Sequence, residues 1–427
     1  MATDSDKRDL KEKNQFNLFL KAAGPGIITG AADDDPSGIA TYSQAGSQFG
    51  FKFLYAAVLT WPLMAVVQMA CARVGLVTGD GLASAFEKKI PRWLLIVFCL
   101  ALFVANTLNV GADLLAMADS VEMLTGTSSH IWIAVFGIGI AAATIYFRYS
   151  QIAKVLQWLA FVLFAYIATA FIVKVDWSDA LHATFWPQVP RGAREWSMLV
   201  AILGTTISPY LFFWQTSLEV EEKKRKGGDT VEKRRECTDQ ELQLRKYDVT
   251  VGTIFSNVVM FFIILTTAVT LNKNGITNIE TSKQAAEALN PIAGPYAMWL
   301  YSVGIIGTGL LAIPTLTGSA AYALAETFGW DEGLDATLGK ARAFYSVIIV
   351  STAIAVVGDF AGVNPIKALY ESAVANGFVA PFILFVLVLV VRDKRIMCGR
   401  PASLRMQIAL SVTALVMFLA LAGLFLF

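Results

Sequence analysis

The chain has 427 residues, of which 56% are hydrophobic, 12% aromatic and only 16% charged, with a formal net charge of +1 and a mean hydropathy of +0.58. This balance is that of an integral membrane protein, and it leaves no basic excess for binding nucleic acid. Cys71, Cys99, Cys237 and Cys398 show no metal-type spacing and read as free thiols.

Residues 1–21 are polar and charged through about Asn17 and carry Lys7, Arg8, Lys11 and Lys13. They lack the basic-then-apolar design of a cleaved signal and read as a cytosolic tail. A bilayer core of about 30 Å takes roughly 20 apolar residues per helix. On that basis eleven spans are predicted, near 22–46, 52–76, 93–123, 131–150, 153–175, 196–219, 248–272, 293–325, 341–358, 366–391 and 406–427. The third and eighth are long enough to tilt or to overshoot the bilayer. Basic residues set the orientation. Arg73, Lys88, Lys89 and Arg92, then Arg148 and Lys154, then Lys223 to Lys246, then Arg392 to Arg405 fall on the same side as the N-terminal tail. The N-terminus is therefore expected in the cytosol and the C-terminus outside. The connection from Glu219 to Asp248 mixes both charges around Gly227-Gly228 and reads as a solvated loop with some helix, without assigned chemistry. His130 and His182 fall in external or interfacial segments and read as surface histidines.

Two proline-centred breaks interrupt these spans. Asp35-Pro36-Ser37-Gly38 lies in the first, and Thr206-Ile207-Ser208-Pro209-Tyr210 in the sixth. Proline inside a helix removes a donor and clashes with the preceding turn, so a spanning segment keeps such a break only where protein or a water-filled cavity satisfies the freed groups. Each break opens a group of five helices, 22–175 and 196–391. An odd helix number forces the second group to be inverted. The expectation is an all-α membrane protein of eleven helices, a LeuT-like inverted five-helix repeat with broken helices 1 and 6, and a peripheral helix at 406–427. In such a fold, substrate and ions bind near the midplane between the breaks.

The sequence around the breaks resembles a known family. Gly24-Pro25-Gly26-Ile27-Ile28, followed by Asp35-Pro36-Ser37-Gly38 and Gln44 to Gly50, is similar to the first helix of Nramp divalent-metal transporters, whose break reads Asp-Pro-Gly-Asn. Gly204 to Tyr210 resembles their sixth helix, and Asn364-Pro365 running to Gly377 and Pro381 their tenth. The resemblance implies a metal held at Asp35, at Gly38 in place of Asn, at Ser208 in place of Met, and at the Thr205 carbonyl. The thioether is missing. Oxygen donors suit hard cations such as Mg²⁺, with Mn²⁺ tolerated, and the lost side chains are expected to widen the pocket around a largely hydrated ion. These changes resemble the Nramp-related magnesium transporter branch.

Asp33 and Asp34 are expected as acids of a vestibule or of the layer behind Asp35, since consecutive helical residues point about 100° apart. Tyr210 occupies the position of a family histidine and is a poor proton carrier at neutral pH. Asp113 falls near one acidic position of the third helix, whereas the other is apolar, around Val110. Glu371 lies in the tenth helix close to Ala373, where relatives place a metal-facing Gln. The expected function is import of divalent cations, chiefly Mg²⁺, by alternating access at the plasma membrane, without obligatory proton coupling. The alternatives are a proton-coupled Mn²⁺/Fe²⁺ symporter of the Nramp type and a sodium-coupled amino-acid carrier. No nucleophile and base pair, phosphate loop or zinc spacing points to an enzyme, and no cofactor is expected beyond the metal as cargo. The expected partners are the ion and the lipid bilayer, and a monomer is compatible with the sequence.

Overall fold

The computed structural model describes residues 33–147, 161–358 and 362–427. The 1–21 tail, the Gly24 to Ile28 motif, Arg148 and Lys154 lie outside the described residues. The thirteen longer helices are α1 (Pro36–Phe49), α2 (Leu54–Thr78), α3 (Arg92–Thr125), α4 (Ser129–Tyr146), α5 (Phe164–Ile172), α6 (Trp177–Phe185) and α7 (Ala193–Thr206), then α8 (Pro209–Arg225), α9 (Asp239–Thr270), α10 (Ala297–Phe328), α11 (Arg342–Gly358), α12 (Pro365–Arg392) and α13 (Leu404–Leu426). All four cysteines are free.

Eight helical runs among the described residues are long and apolar enough to cross a membrane. One of them, Pro36–Thr78, contains two predicted spans, α1 and α2, parted at Gly50 by a backbone φ of 59°. Glycine takes that conformation without the Cβ clash other residues suffer. The shorter α11 has 17 apolar-rich residues, and the fifth predicted span is described only from residue 161. Large apolar side chains such as Leu108, Ile138, Ile254, Phe385 and Leu415 stay exposed on the outside of the bundle. That is the surface a lipid-facing helix presents.

Both breaks are present. Asp35 is extended and caps α1, with Pro36 in the first turn. The chain leaves α7 at Ile207 and enters α8 after the extended Ser208, again with proline in the first turn. Proline fits there because its missing N–H would have had no helical partner. Inside the bundle α10 packs along α3, α12 lies against both α7 and α3, and α9 crosses α1 and α2. The meeting place of α1, α3, α7 and α12 is therefore built from the two breaks and two continuous helices.

The two ends of the bundle differ in charge. At one end Lys89 pairs with Asp393 at 2.9 Å, Arg73 donates to the Arg400 carbonyl at 3.1 Å, and Arg234 donates to the Gly79 carbonyl at 2.8 Å. This basic end also holds the connection between α8 and α9, which is more ordered than a solvated loop. Helix α8 continues to Arg225, and α9 starts at Asp239 behind a Thr238–Glu241 capping box, which satisfies two otherwise unpaired N–H groups. At the opposite end Lys52 pairs with Glu195 at 2.5 Å, and Asn364 donates to the Glu280 carbonyl at 2.8 Å.

Candidate metal site

Asp35 is held by its own helix and by a neighbour. Oδ1 accepts from the Gly38 N–H and from the Ser37 hydroxyl, each at 2.7 Å. Oδ2 accepts from the Asn109 amide of α3 at 3.0 Å. The same amide nitrogen lies 3.2 Å from Asp113 Oδ2, one turn along α3. Asn376 of α12 donates to Asn109 Oδ1 at 3.2 Å. All four side chains are buried.

This cluster has more acceptors than donors. Asp113 Oδ1 and Asn376 Oδ1 are buried without a hydrogen-bond partner. An unpaired buried polar group costs about 1–3 kcal/mol, more when charged. A hard cation is the kind of ligand that satisfies several oxygen acceptors together.

The second break forms the facing wall. The Ser208 hydroxyl sits 2.8 Å from the Gly204 carbonyl and 2.7 Å from that of Thr205. It donates back to the open end of α7, which leaves its own lone pairs as acceptors. The breaks approach through the Ser37 and Thr205 hydroxyls at 3.5 Å and through Tyr42 and Thr206 at 3.2 Å. Tyr210, the second residue of α8, is fully buried, and its hydroxyl has no partner. Gly204 and Gly377 make the packing of α7 on α12 possible. A Cβ on Gly204 would collide with the Ala373 carbonyl and the Gly377 backbone, and one on Gly377 with the Val200 carbonyl.

Several expectations need correction. The space around Gly38 is not widened, because a Cβ there would already lie 3.2 Å from Thr205 Oγ1 and 3.4 Å from the Tyr42 ring. The neighbours have closed over the small residue. Of the two placements expected for Asp33 and Asp34, their burial against α9 rules out the vestibule and leaves the layer behind Asp35. Ser256 Oγ lies 2.8 Å from Asp33 Oδ2 and 3.0 Å from Asp34 Oδ1, and one hydroxyl proton cannot serve both fully. Glu371 is on the surface, its side chain 59% exposed and 3.6 Å from Lys367. Ala373 is buried and contributes its backbone to the α7 contact, not a ligating side chain. His130 and His182 are both exposed.

Asn109 and Asn376 were not singled out from the sequence. The available signal was an amide in an apolar span, one turn before Asp113 in the first case and beside the helix-packing Gly377 in the second. Among the described residues no three His, Cys, Asp or Glu side chains converge as a metal-ligand group. An ion at this place would rest on one or two carboxylates together with amide, hydroxyl and carbonyl oxygens.

The two ends of the bundle are built differently. Opposite the basic end, a cavity of about 1040 Å³ is lined by Gln44 and Gln48 of α1, Arg194 and Ser197 of α7, and Lys367 and Tyr370 of α12. Gln44 donates to Asn278 at 2.6 Å and accepts from the Ile279 N–H at 3.0 Å. At the basic end Arg245 of α9 holds Glu219 and Glu222 of α8 and Asp248 of its own helix, each at 2.6 Å. Lys223 adds a bond to Glu241 at 2.8 Å.

Comparison with known proteins agrees with this architecture. The profile of the natural resistance-associated macrophage protein-like family, Nramp, matches residues 26–427. The divalent metal cation transporter MntH of Caldanaerobacter subterraneus subsp. tengcongensis is 27% identical over 403 residues, covering 90% of this chain and 87% of the relative. Among solved structures, the manganese transporter of Eremococcus coleocola superposes with a TM-score of 0.70 at 16% identity, covering 95% of this chain and 86% of that one. Mhp1, a nucleobase-cation-symport-1 family transporter, shares the fold more distantly, with a TM-score of 0.57 at 15% identity and coverage of 95% and 90%. The fold is thus the LeuT-like one with two broken helices, and with a family match running from just before the first break to the last residue, the chain belongs to the Nramp family.

Proposed function

We propose that this chain carries divalent metal ions across the plasma membrane by alternating access, binding the ion between the breaks at Asp35 and Ser208. The observation that carries this reading is the buried cluster of Asp35, Asn109, Asp113 and Asn376, with two acceptor oxygens unpartnered. The relatives named above as divalent metal and manganese transporters support the same substrate class. Thr205 supplies a carbonyl and Ser208 a hydroxyl to that site, while Gly38 adds only its N–H to Asp35. Asp33 and Asp34 stand behind it on the α9 side, and Tyr210 beside it at the start of α8.

Mn²⁺ is the cargo that satisfies both the relatives and an all-oxygen site. The relatives favour a divalent metal such as Mn²⁺; in the proton-coupled Mn²⁺ or Fe²⁺ reading of the Nramp type, Asp113, tied to Asp35 through one amide, is the carboxylate placed to respond to the ion. A second reading, Mg²⁺ as the main cargo without obligatory proton movement, rests on one observation: Ser208 stands where a soft sulfur ligand would be. A sodium-coupled amino-acid carrier is disfavoured by the carboxylates crowding the α1 terminus, where a substrate carboxylate would be received. The open cavity lies opposite the basic end, so the positive-inside bias turns it outward and keeps the N-terminus in the cytosol.

The test is flux into liposomes of Mn²⁺, Mg²⁺ and Ca²⁺, with and without a pH gradient and with an internal pH dye. Mn²⁺ uptake with matching acidification is the expected result. Mg²⁺ uptake exceeding that of Mn²⁺ without acidification would establish the second reading, and no divalent flux at all would overturn both.

A further inference from the structure

At the basic end, α2, α9 and the start of α13 enclose a slot of about 370 Å³. Its apolar wall is Met69, Leu76, Leu242 and Met406, and its polar wall includes Arg73, Arg245 and Lys246. These cations differ in how far their charge is already answered. Arg245 is taken up by three carboxylates. Arg73 donates to the backbone carbonyls of Arg400 and Pro401, its Nε is buried without an acceptor, and the carboxylate whose charge reaches it, Asp239, is already bonded to Arg400. Lys246 is exposed and has no ion pair among the described residues.

The surface leading away from the slot is apolar. Along α9 the fourfold spacing from Lys246 passes Thr250 to the exposed Ile254 and Val258, which lie on the same helix face. On α13 the exposed Leu404, Ile408 and Val412 lie on the face turned away from Met406, so the apolar surface that continues from the slot is that of α9. Two cations without a carboxylate bonded to them, at a membrane interface and above an apolar helix face, match a molecule with an anionic head and hydrocarbon tails. We infer that this slot holds the phosphate headgroup of an anionic phospholipid, with Lys246 and Arg73 on the phosphate and the acyl chains along the exposed face of α9. Juxtamembrane lysine and arginine attract anionic lipid for the same electrostatic reason. The occupant bridges the α9 segment that carries Arg245 to α13.

Native mass spectrometry of the delipidated full-length protein tests this, titrated with phosphatidylglycerol, with phosphatidylcholine, and with water-soluble glycerol phosphate. One phosphatidylglycerol should be retained in preference to phosphatidylcholine, and Lys246→Gln should reduce that preference about fivefold. Leu242→Trp, which fills the slot, should remove the retained lipid from a protein whose melting temperature shows it to be folded. Equal retention of the two lipids, or an unchanged preference in Lys246→Gln, would overturn the inference. Glycerol phosphate binding as tightly as the lipid would also overturn it, by making the slot a site for a soluble anion. The readout is lipid retention, so it stands or falls separately from metal flux.

Discussion

Asn109 donates its side-chain amide to the Asp35 carboxylate at 3.0 Å, joining the middle of the long α3 helix to the capping residue of α1. The bond fixes one carboxylate oxygen and leaves the geometry of the proposed ion site dependent on a neutral residue. Replacing Asn109 by Ala should therefore lower apparent metal affinity about 10–100-fold, as loss of an orienting partner behind a ligand does. Isothermal titration with Mn²⁺ on the purified variant measures this, and an unchanged affinity would show that Asp35 is oriented by its own helix alone.

Asp35→Ala removes both the helix cap and the central carboxylate of the proposed site. Loss of the cap alone costs about 0.5–2 kcal/mol, which a folded membrane protein tolerates. Divalent flux should fall to the level of empty liposomes while the protein still elutes as a single species. Near-normal flux would place the ion elsewhere.

Ser208→Met should raise the ratio of Mn²⁺ to Mg²⁺ uptake, because a thioether suits softer transition metals. Adding Gly38→Asn is expected to weaken transport of every ion tested, since its Cβ falls 3.2 Å from Thr205 Oγ1 and the longer side chain must displace that residue. Competition uptake assays on the single and double variants separate the two effects. A double variant that outperforms the single one would show that the Gly38 side has room that this conformation conceals.

Arg245→Gln leaves Glu219 and Asp248 buried without their cation. Breaking a buried ion pair by removing one partner costs about 3–5 kcal/mol. The variant should melt well below the parent, and Glu219→Gln in the same chain should recover part of the loss. Additive losses in the double variant would indicate that the two residues are not coupled.

Glu332, in the connection between α10 and α11, is raised up to about 7 by burial, against the opposing pull of Lys224 at 3.7 Å. The folded protein therefore holds this proton more tightly than the unfolded chain does. Its contribution to stability is complete below the ordinary carboxylate range and is lost as pH rises through about 7. Melting temperature should drop across that window, and Glu332→Gln should flatten the drop. An identical pH profile in the variant would remove Glu332 as the cause.

The spans and breaks were legible because they depend on local chemistry: apolar runs of bilayer length, and prolines that a continuous helix cannot absorb. The composition of the site was legible only in part. Glu371 attracted attention as an acid in a span, yet Asn376, five residues along the same helix, is the one that faces α3. Which side of α12 turns inward is fixed by the Gly204–Gly377 contact, a relation between distant segments. Gly38 misled for a similar reason. A missing side chain reads as empty space in a sequence, whereas Thr205 and Tyr42 settle into it. The α8–α9 connection looked like a charged loop because opposite charges alternate along it, and their pairing across helices through Arg245 and Lys223 needs three dimensions.

At Gly204 and Gly377 the backbones of α7 and α12 touch with no side chain between them. Surfaces so close cannot shear, because any sliding drives carbonyls into amides, but they can roll about the point where they meet. Thr205 and Asn376 are the immediate neighbours of that contact, so a roll about it would change their separation least. Asp35 caps α1, whose own close contact is Gly46 against the Ile264 carbonyl and Ala268 amide of α9, so it travels with α9 rather than with α7 and α12. The ion would then ride between a stationary jaw and a moving one, and release would begin with Asp35 retreating from partners that stay in place.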